Sequence, residues 1–109
     1  MEDLTKDQQF FLVALYKEYI SRQSTLDPVS ANYFSDSDSL IPLLGVDFSS
    51  EYVGDICLAL LDKGYISGYK DEDSVSELGL SDKTIIYMEN RFKNNLKSIL
   101  DFVAKFKPF

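Results

Sequence analysis

The sequence predicts a mainly α-helical domain carrying one small two-stranded β-hairpin, an α+β fold in the order α-α-α-β-β-α with a long C-terminal helix. Three observations predict it. Apolar residues recur at helical spacing near residues 6–22, 51–63 and 82–106. The period drops from 3.6 to about 2 over Tyr65-Ile66-Ser67-Gly68-Tyr69, and after the polar turn Lys70-Asp71-Glu72-Asp73-Ser74 the stretch Val75-Ser76-Glu77-Leu78 can return as a second strand. Finally, 109 residues that are 45 % apolar, with eight Phe and seven Tyr, supply one real core and are too few for a second. One domain over residues 1–109 is expected.

The elements follow in order. The first helix is predicted from about Lys6 to Arg22: Thr5 can cap it, with Gln8 completing a capping box. Its apolar face is Phe11, Leu12, Leu15, Tyr19 and Ile20, and Phe10 and Val13 widen that face enough to predict deep burial. Residues 23–36 read as a connection, since Pro28 disfavours helical geometry at Asp27. Tyr33 and Phe34 are expected to pin it to the core. A short second helix is expected over Ser37 to Leu44, with Pro42 tolerable only in its first turn and Gly45 as its stop. The third helix starts after Ser49 or Ser50 and runs to about Lys63, with Val53, Ile56, Cys57, Leu60 and Leu61 as its buried stripe and Gly64 beyond its end. Ser81 can cap the last helix, predicted from about Asp82 to Lys105 or Phe106. There Ile85, Met88, Phe92, Leu96, Ile99, Val103 and Phe106 fall at spacings of three and four, close to a heptad seam.

Several function classes are excluded early. No apolar run approaches the roughly 18–20 residues of a membrane-spanning helix. Met1-Glu2-Asp3 begins acidic, with no apolar export core, and the lone Cys57 can form no internal disulfide, so a cytoplasmic protein is expected. There is no histidine, which removes the commonest general base, the commonest neutral metal ligand and every Ser-His or Cys-His pair. Neither phosphate-binding nor dinucleotide-binding glycine patterns occur, nor zinc spacing. Asp71-Glu72-Asp73 and Asp36-x-Asp38 lack the glycine and distal glutamate of a calcium loop and read as solvated turns. No enzyme activity, cofactor, metal or small-molecule ligand is implied.

The net charge of −7 is unevenly spread. Residues 27–82 hold twelve acids against Lys63 and Lys70, whereas residues 83–109 hold six bases against two acids. Acid in the middle of the chain repels nucleic-acid phosphate; the C-terminal segment is mildly basic.

The element order, and two pieces of local text, resemble the winged-helix variant of the helix-turn-helix fold. Leu60-Leu61-Asp62-Lys63-Gly64-Tyr65-Ile66 resembles the end of a winged-helix third helix passing into the first wing strand. Leu78-Gly79-Leu80-Ser81-Asp82-Lys83-Thr84 resembles the exit from the wing in small bacterial and phage winged-helix proteins, PadR-like regulators included, with Thr84 where that step usually has glycine. The resemblance covers roughly residues 5–106 and implies either DNA binding or protein docking. In a DNA-reading member the exposed face of the third helix should offer Arg, Lys, Asn or Gln to the major groove. Here the residues outside the buried stripe are Glu51, Tyr52, Gly54, Asp55, Ala59 and Asp62, and the wing reads Lys-Asp-Glu-Asp. The expected function is therefore that of a regulatory or adaptor module binding a protein partner through an acidic face: Glu51, Tyr52, Asp55, Asp62, Tyr69, Asp71, Glu72 and Asp73, with the two tyrosines as aromatic anchors. A DNA-binding transcriptional regulator, with Arg91, Lys93 and Lys97 on phosphate, and a phage-type DNA mimic remain as alternatives. The seam of the last helix can pack as core or pair with a second copy, and Ile86, Leu100 and Phe102, apolar but off that seam, favour a dimer or a partner groove.

Overall fold

The computed structural model describes residues 1–108. The elements are α1 (Lys6–Arg22), α2 (Pro28–Ala31), α3 (Leu40–Leu44), α4 (Ser50–Asp62), β1 (Ile66–Lys70), β2 (Val75–Leu80), α5 (Asp82–Phe92) and α6 (Leu96–Phe106). Helix dominates, the β-structure is one antiparallel hairpin, and no helix among the described residues is long and apolar enough to cross a membrane.

The first helix starts on the capping box, with the Gln8 amide N–H donating to Thr5 Oγ1 at 3.2 Å and the Thr5 N–H donating to the Gln8 side chain at 3.0 Å. Every residue from Phe10 to Tyr16 is buried. Seven consecutive buried positions cover all sides of a helix, so α1 is the axis of the core rather than a one-faced surface element. The other helices and β2 pack round it.

Residues 23–36 are more than a connection. Asp27 stays extended, as Pro28 requires, and its carboxylate accepts from the Ser30 N–H at 2.8 Å to cap the one-turn helix α2. Proline sits at the first helical position, where it has no intrahelical bond to lose. Phe34 is buried, but Tyr33, expected to pin the loop with it, is about half exposed. The short helix α3 begins at Leu40 rather than Ser37 because Asp36 closes a turn over Ser39 first, and it ends at Gly45 in the left-handed conformation.

Residues 34–37 lie along β2 on the side opposite β1. Phe34 N–H donates to Leu78 O at 2.9 Å, Leu78 N–H donates to Ser35 O at 2.9 Å, and Ser37 N–H donates to Val75 O at 3.0 Å. Ser37 Oγ accepts from the Val75 N–H at 2.9 Å. Between β1 and β2 the register runs Ile66↔Leu80, Ser67↔Gly79, then Tyr69↔Ser76 and Lys70↔Val75. One extra residue on β2 makes a bulge, and Glu77 takes a left-handed φ of 51° to accommodate it. Gly68 faces the bulge, where a Cβ would lie 2.7 Å from Val75 Cγ1.

The expected single helix over 82–106 is a correction: it is two helices. Ser81 caps α5, which ends at Phe92; Lys93 and Asn94 take left-handed φ values of 49° and 58°, and Asn95 caps α6 by accepting from the Ser98 N–H at 3.2 Å. Asparagine tolerates the left-handed region and caps helices well, so Asn94-Asn95 supplies a stop and a restart in consecutive residues. The break lays α6 on α1. The continuous seam therefore does not form: Met88, Phe92 and Ile99 are buried inside the chain, Ile85, Val103 and Phe106 are half-buried, and Leu96 is exposed. Phe102, off the expected seam, is buried and meets Phe92 edge-on at 6.1 Å.

Candidate docking face

The third long element, α4, is positioned by local chemistry. Ser49 Oγ accepts from the Tyr52 N–H at 3.1 Å, Glu51 stands in the first turn where the helix dipole favours an acid, and Val53, Ile56, Cys57 and Leu60 bury the inner stripe. Gly54, which the helical pattern left outside the stripe, is also buried. The Asp73 carbonyl oxygen lies only 2.1 Å from where a Cβ on Gly54 would be. The hairpin turn thus rests directly on the N-terminal half of α4, and only glycine permits the approach.

That contact gathers acids from three places in the sequence. Asp38 from the turn before α3, Ser50 and Glu51 from α4, and Asp73 and Ser74 from the hairpin turn line one open concavity of about 580 Å³. Ser50 Oγ donates to the Asp38 carboxylate. Asp71 and Glu72, both exposed, complete the turn, which is closed by the Asp71 N–H donating to Ser74 O at 2.9 Å. Asp55 is exposed on α4 one turn beyond Glu51. Asp38 was not on the expected face; it was read only as part of a solvated turn, and what brings it in is long-range packing.

Two expected members are placed differently. Asp62 is exposed but ends α4 eleven residues after Glu51, roughly 16 Å along the axis, and lies outside the concavity. Tyr52 is 40 % exposed, yet its ring stacks edge-on against Phe48 at 4.8 Å and its hydroxyl donates to the Asp7 carboxylate. That hydrogen bond raises the Tyr52 pKa and commits its polar end to α1. Tyr69, 70 % exposed on the hairpin, keeps its ring in solvent and is the anchor available.

The ion pairs among the described residues, Lys17–Glu18 and Lys97–Asp101, involve none of these acids. Lys63 donates to the Asp3 carbonyl at the other end of α4, and Lys70 at the hairpin turn forms no ion pair with the acids beside it. Six carboxylates, Asp38, Glu51, Asp55, Asp71, Glu72 and Asp73, therefore share this part of the surface without salt bridges.

The bases proposed for phosphate are elsewhere. The Arg91 guanidinium lies over the rings of Phe92 (5.2 Å) and Phe102 (4.8 Å), Lys97 pairs with Asp101 at 3.1 Å, and Lys93 forms the α5–α6 hinge. Cys57 is buried; burial pushes its thiol up to about 11 against a smaller lowering from the Ser37 hydroxyl. A buried, protonated thiol packs as a small apolar group. No cluster of three or more acids, Cys or His suited to a metal occurs among the described residues.

One feature escaped sequence reasoning. A groove of about 670 Å³ runs between α1, α2 and α5, lined by Tyr19, Val29, Tyr33, Asp82 and Ile85 among others. Its wall is α2, and the one available signal was the pair Val29 and Tyr33, apolar bodies in a polar connection. Against known proteins, this chain matches no family model, no curated protein and no solved structure.

Proposed function

We propose that the chain is a non-enzymatic winged-helix regulatory or adaptor module that docks a basic protein surface on the acidic face formed by α4 and the hairpin turn. Three features support the winged-helix reading. A short helix and a turn precede α4, a hairpin follows it, and a further helix follows the hairpin. The observation that carries the functional reading is the seating of Asp73 on Gly54. It brings the acids of the hairpin turn against those of α4, so the face that a winged helix would offer to a duplex is negative at its centre. Phosphate contacts supply much of the affinity for DNA, and this face repels phosphate. A basic surface gains from the same charges, chiefly in encounter rate and specificity, while Tyr69 adds an aromatic contact.

The test is a pair of titrations at low salt, one with an arginine-rich peptide and one with random duplex DNA, followed by amide chemical shifts. The expected result is peptide-induced shifts at residues 51–55 and 71–73 that vanish in Glu72→Lys with Asp73→Lys, and no change with DNA. Tight DNA binding that weakens steeply with salt, mapping to Arg91, Lys93 and Lys97, would make the chain a DNA-binding regulator instead.

A further inference from the structure

The junction between α5 and α6 combines three observations. First, the heptad spacing continues through it: Ile85, Met88 and Phe92 before, Leu96, Ile99, Val103 and Phe106 after. Second, the chain nevertheless breaks there, with Lys93 and Asn94 both in the left-handed region; asparagine tolerates it, so the strain falls on Lys93. Third, Leu96 is the one member of the heptad series left substantially exposed, at 48 %, and Leu100 beside it is 44 % exposed. The apolar spacing alone is that of a straight helix; Asn94-Asn95 and the seat of α6 on α1 hold the junction bent.

We infer that α6 exchanges between two copies of this chain. In the exchanged dimer residues 82–106 form one continuous helix, and the α6 of each copy occupies the α1 seat of the other. The occupant is fixed by identity. The side of α1 where Phe10 and Ala14 border one small cavity with Val103, and the Phe92 edge that meets Phe102, are by construction complementary to the same helix from a second molecule. Exchange remakes these contacts and changes only the hinge. Straightening removes the left-handed strain at Lys93 and returns Leu96 to the seam. It gives up the Asn95 cap and the 3.3 Å hydrogen bond that Tyr16 donates to Asn94. A short strained hinge between an element and its seat is the arrangement that permits exchange at low cost. This inference is independent of the acidic face and of what docks there.

Hinge variants of the full chain test it. Wild type unfolded in urea and refolded at high micromolar concentration should yield a dimer by sedimentation velocity. In dimers mixed from isotope-labelled and unlabelled chains, interchain nuclear Overhauser contacts should join Val103 methyls to the Phe10 ring. Glycine adopts the left-handed conformation freely and weakens a straight helix, so Lys93→Gly should lower the dimerisation constant roughly a hundredfold, about tenfold for each of two hinges. Lys93→Ala with Asn94→Ala should raise it. A wild type that stays monomeric after concentrated refolding overturns the proposal, as does a dimer without interchain α1–α6 contacts, or one indifferent to Lys93→Gly. The last two readouts hold even if the double-alanine chain does not fold.

Discussion

Gly54 on α4 and Asp73 in the hairpin turn meet backbone to backbone: the Asp73 carbonyl stands 2.1 Å from the position of a Cβ on Gly54. Gly54 is in the interior of a helix, where alanine would ordinarily add about 1 kcal/mol of stability. Here it must push the carbonyl back by more than an ångström, and overpacking of this kind costs about 1–3 kcal/mol. Because the obstacle is backbone and not the end of a flexible side chain, the clash wins. Gly54→Ala is expected to lower stability by roughly 1–2 kcal/mol, read from its urea midpoint, and to move the amide signals of residues 71–74. A variant more stable than wild type would show that the turn does not rest on α4.

A second long-range tie predicts a sharper local effect. The Asn32 side-chain amide copies a strand rung: Nδ2 donates to Leu80 O at 2.9 Å, and Oδ1 accepts from the Leu80 N–H at 2.8 Å. It closes the end of β2 where Ser81 begins α5. Asn32→Ala removes both bonds at a half-buried position and should cost about 1–3 kcal/mol. Asn32→Asp keeps the acceptor but sets a carboxylate oxygen against the Leu80 carbonyl, so its cost at neutral pH should be at least that of alanine. Hydrogen exchange at Leu80 is the direct readout, faster in Asn32→Ala than can be accounted for by global stability alone.

These ties mark where sequence reasoning stopped. Caps at Thr5, Ser49 and Ser81 were legible because a cap is a local bargain between a side chain and an amide two or three residues on. The hairpin was legible because strand periodicity differs from helical periodicity. The break at Lys93-Asn94 was masked, since the apolar spacing on both sides is that of one helix and it outweighed the local signal of Asn94-Asn95. The acids of α4 and the turn were legible as a list. That Asp38 joins them and that the Tyr52 hydroxyl is taken by Asp7 depend on contacts between residues twelve or more apart in sequence, whereas the distance of Asp62 along α4 follows from helix rise alone.

Alkaline pH should destabilise the protein through one thiol and one phenol, and the direction follows from linkage. Burial raises the Cys57 thiol from 9.0 to about 11, and the hydrogen bond to Asp3 raises the Tyr65 phenol from 10.0 to about 12. In each case the unfolded chain loses its proton first and so binds fewer protons than the folded one. The stabilisation is present in full below pH 9 and is lost as pH rises through 9–11 for Cys57 and 10–12 for Tyr65. For the buried thiol the loss is on the order of 2 kcal/mol. Cys57→Ala should flatten the first part of the decline in urea midpoint, and Tyr65→Phe the second. In the native protein a thiol reagent should modify Cys57 only at the rate of opening.

The acid end of the same linkage isolates one partner. The Tyr65 hydroxyl donates to the Asp3 carboxylate at 2.7 Å and holds Asp3 below the ordinary carboxylate range. A lowered folded pKa means that the Asp3 contribution is present above pH 3.8 and is lost as pH falls through its folded value. Tyr65→Phe should return the Asp3 carboxyl to an ordinary titration, observable by carbon chemical shift. An unchanged Asp3 titration in that variant would mean that Lys63 and the backbone, not the phenol, set its pKa.

The last expectation concerns what the acidic face does to its own protein. Asp71, Glu72 and Asp73 are exposed, adjacent and without salt bridges among the described residues, and Asp73 shares a concavity with Glu51 and Asp38. Like charges packed in this way oppose folding, and the opposition is screened once the Debye length, about 10 Å at 0.1 M salt, contracts to a few ångströms. Neutralising the three turn acids together, as Asp71→Asn, Glu72→Gln and Asp73→Asn, should raise the urea midpoint in low salt. The gain should shrink toward zero by about 1 M salt, where the Debye length is near 3 Å. Glu51 is left in place because its charge also favours the N-terminus of α4. If the same variant loses the arginine-rich peptide while gaining stability, the charges are maintained against the interest of the fold, and their use lies in what they meet. If it gains nothing in low salt, the acids are far enough apart in solution to be ordinary solvated turn residues, and the docking face has no electrostatic basis.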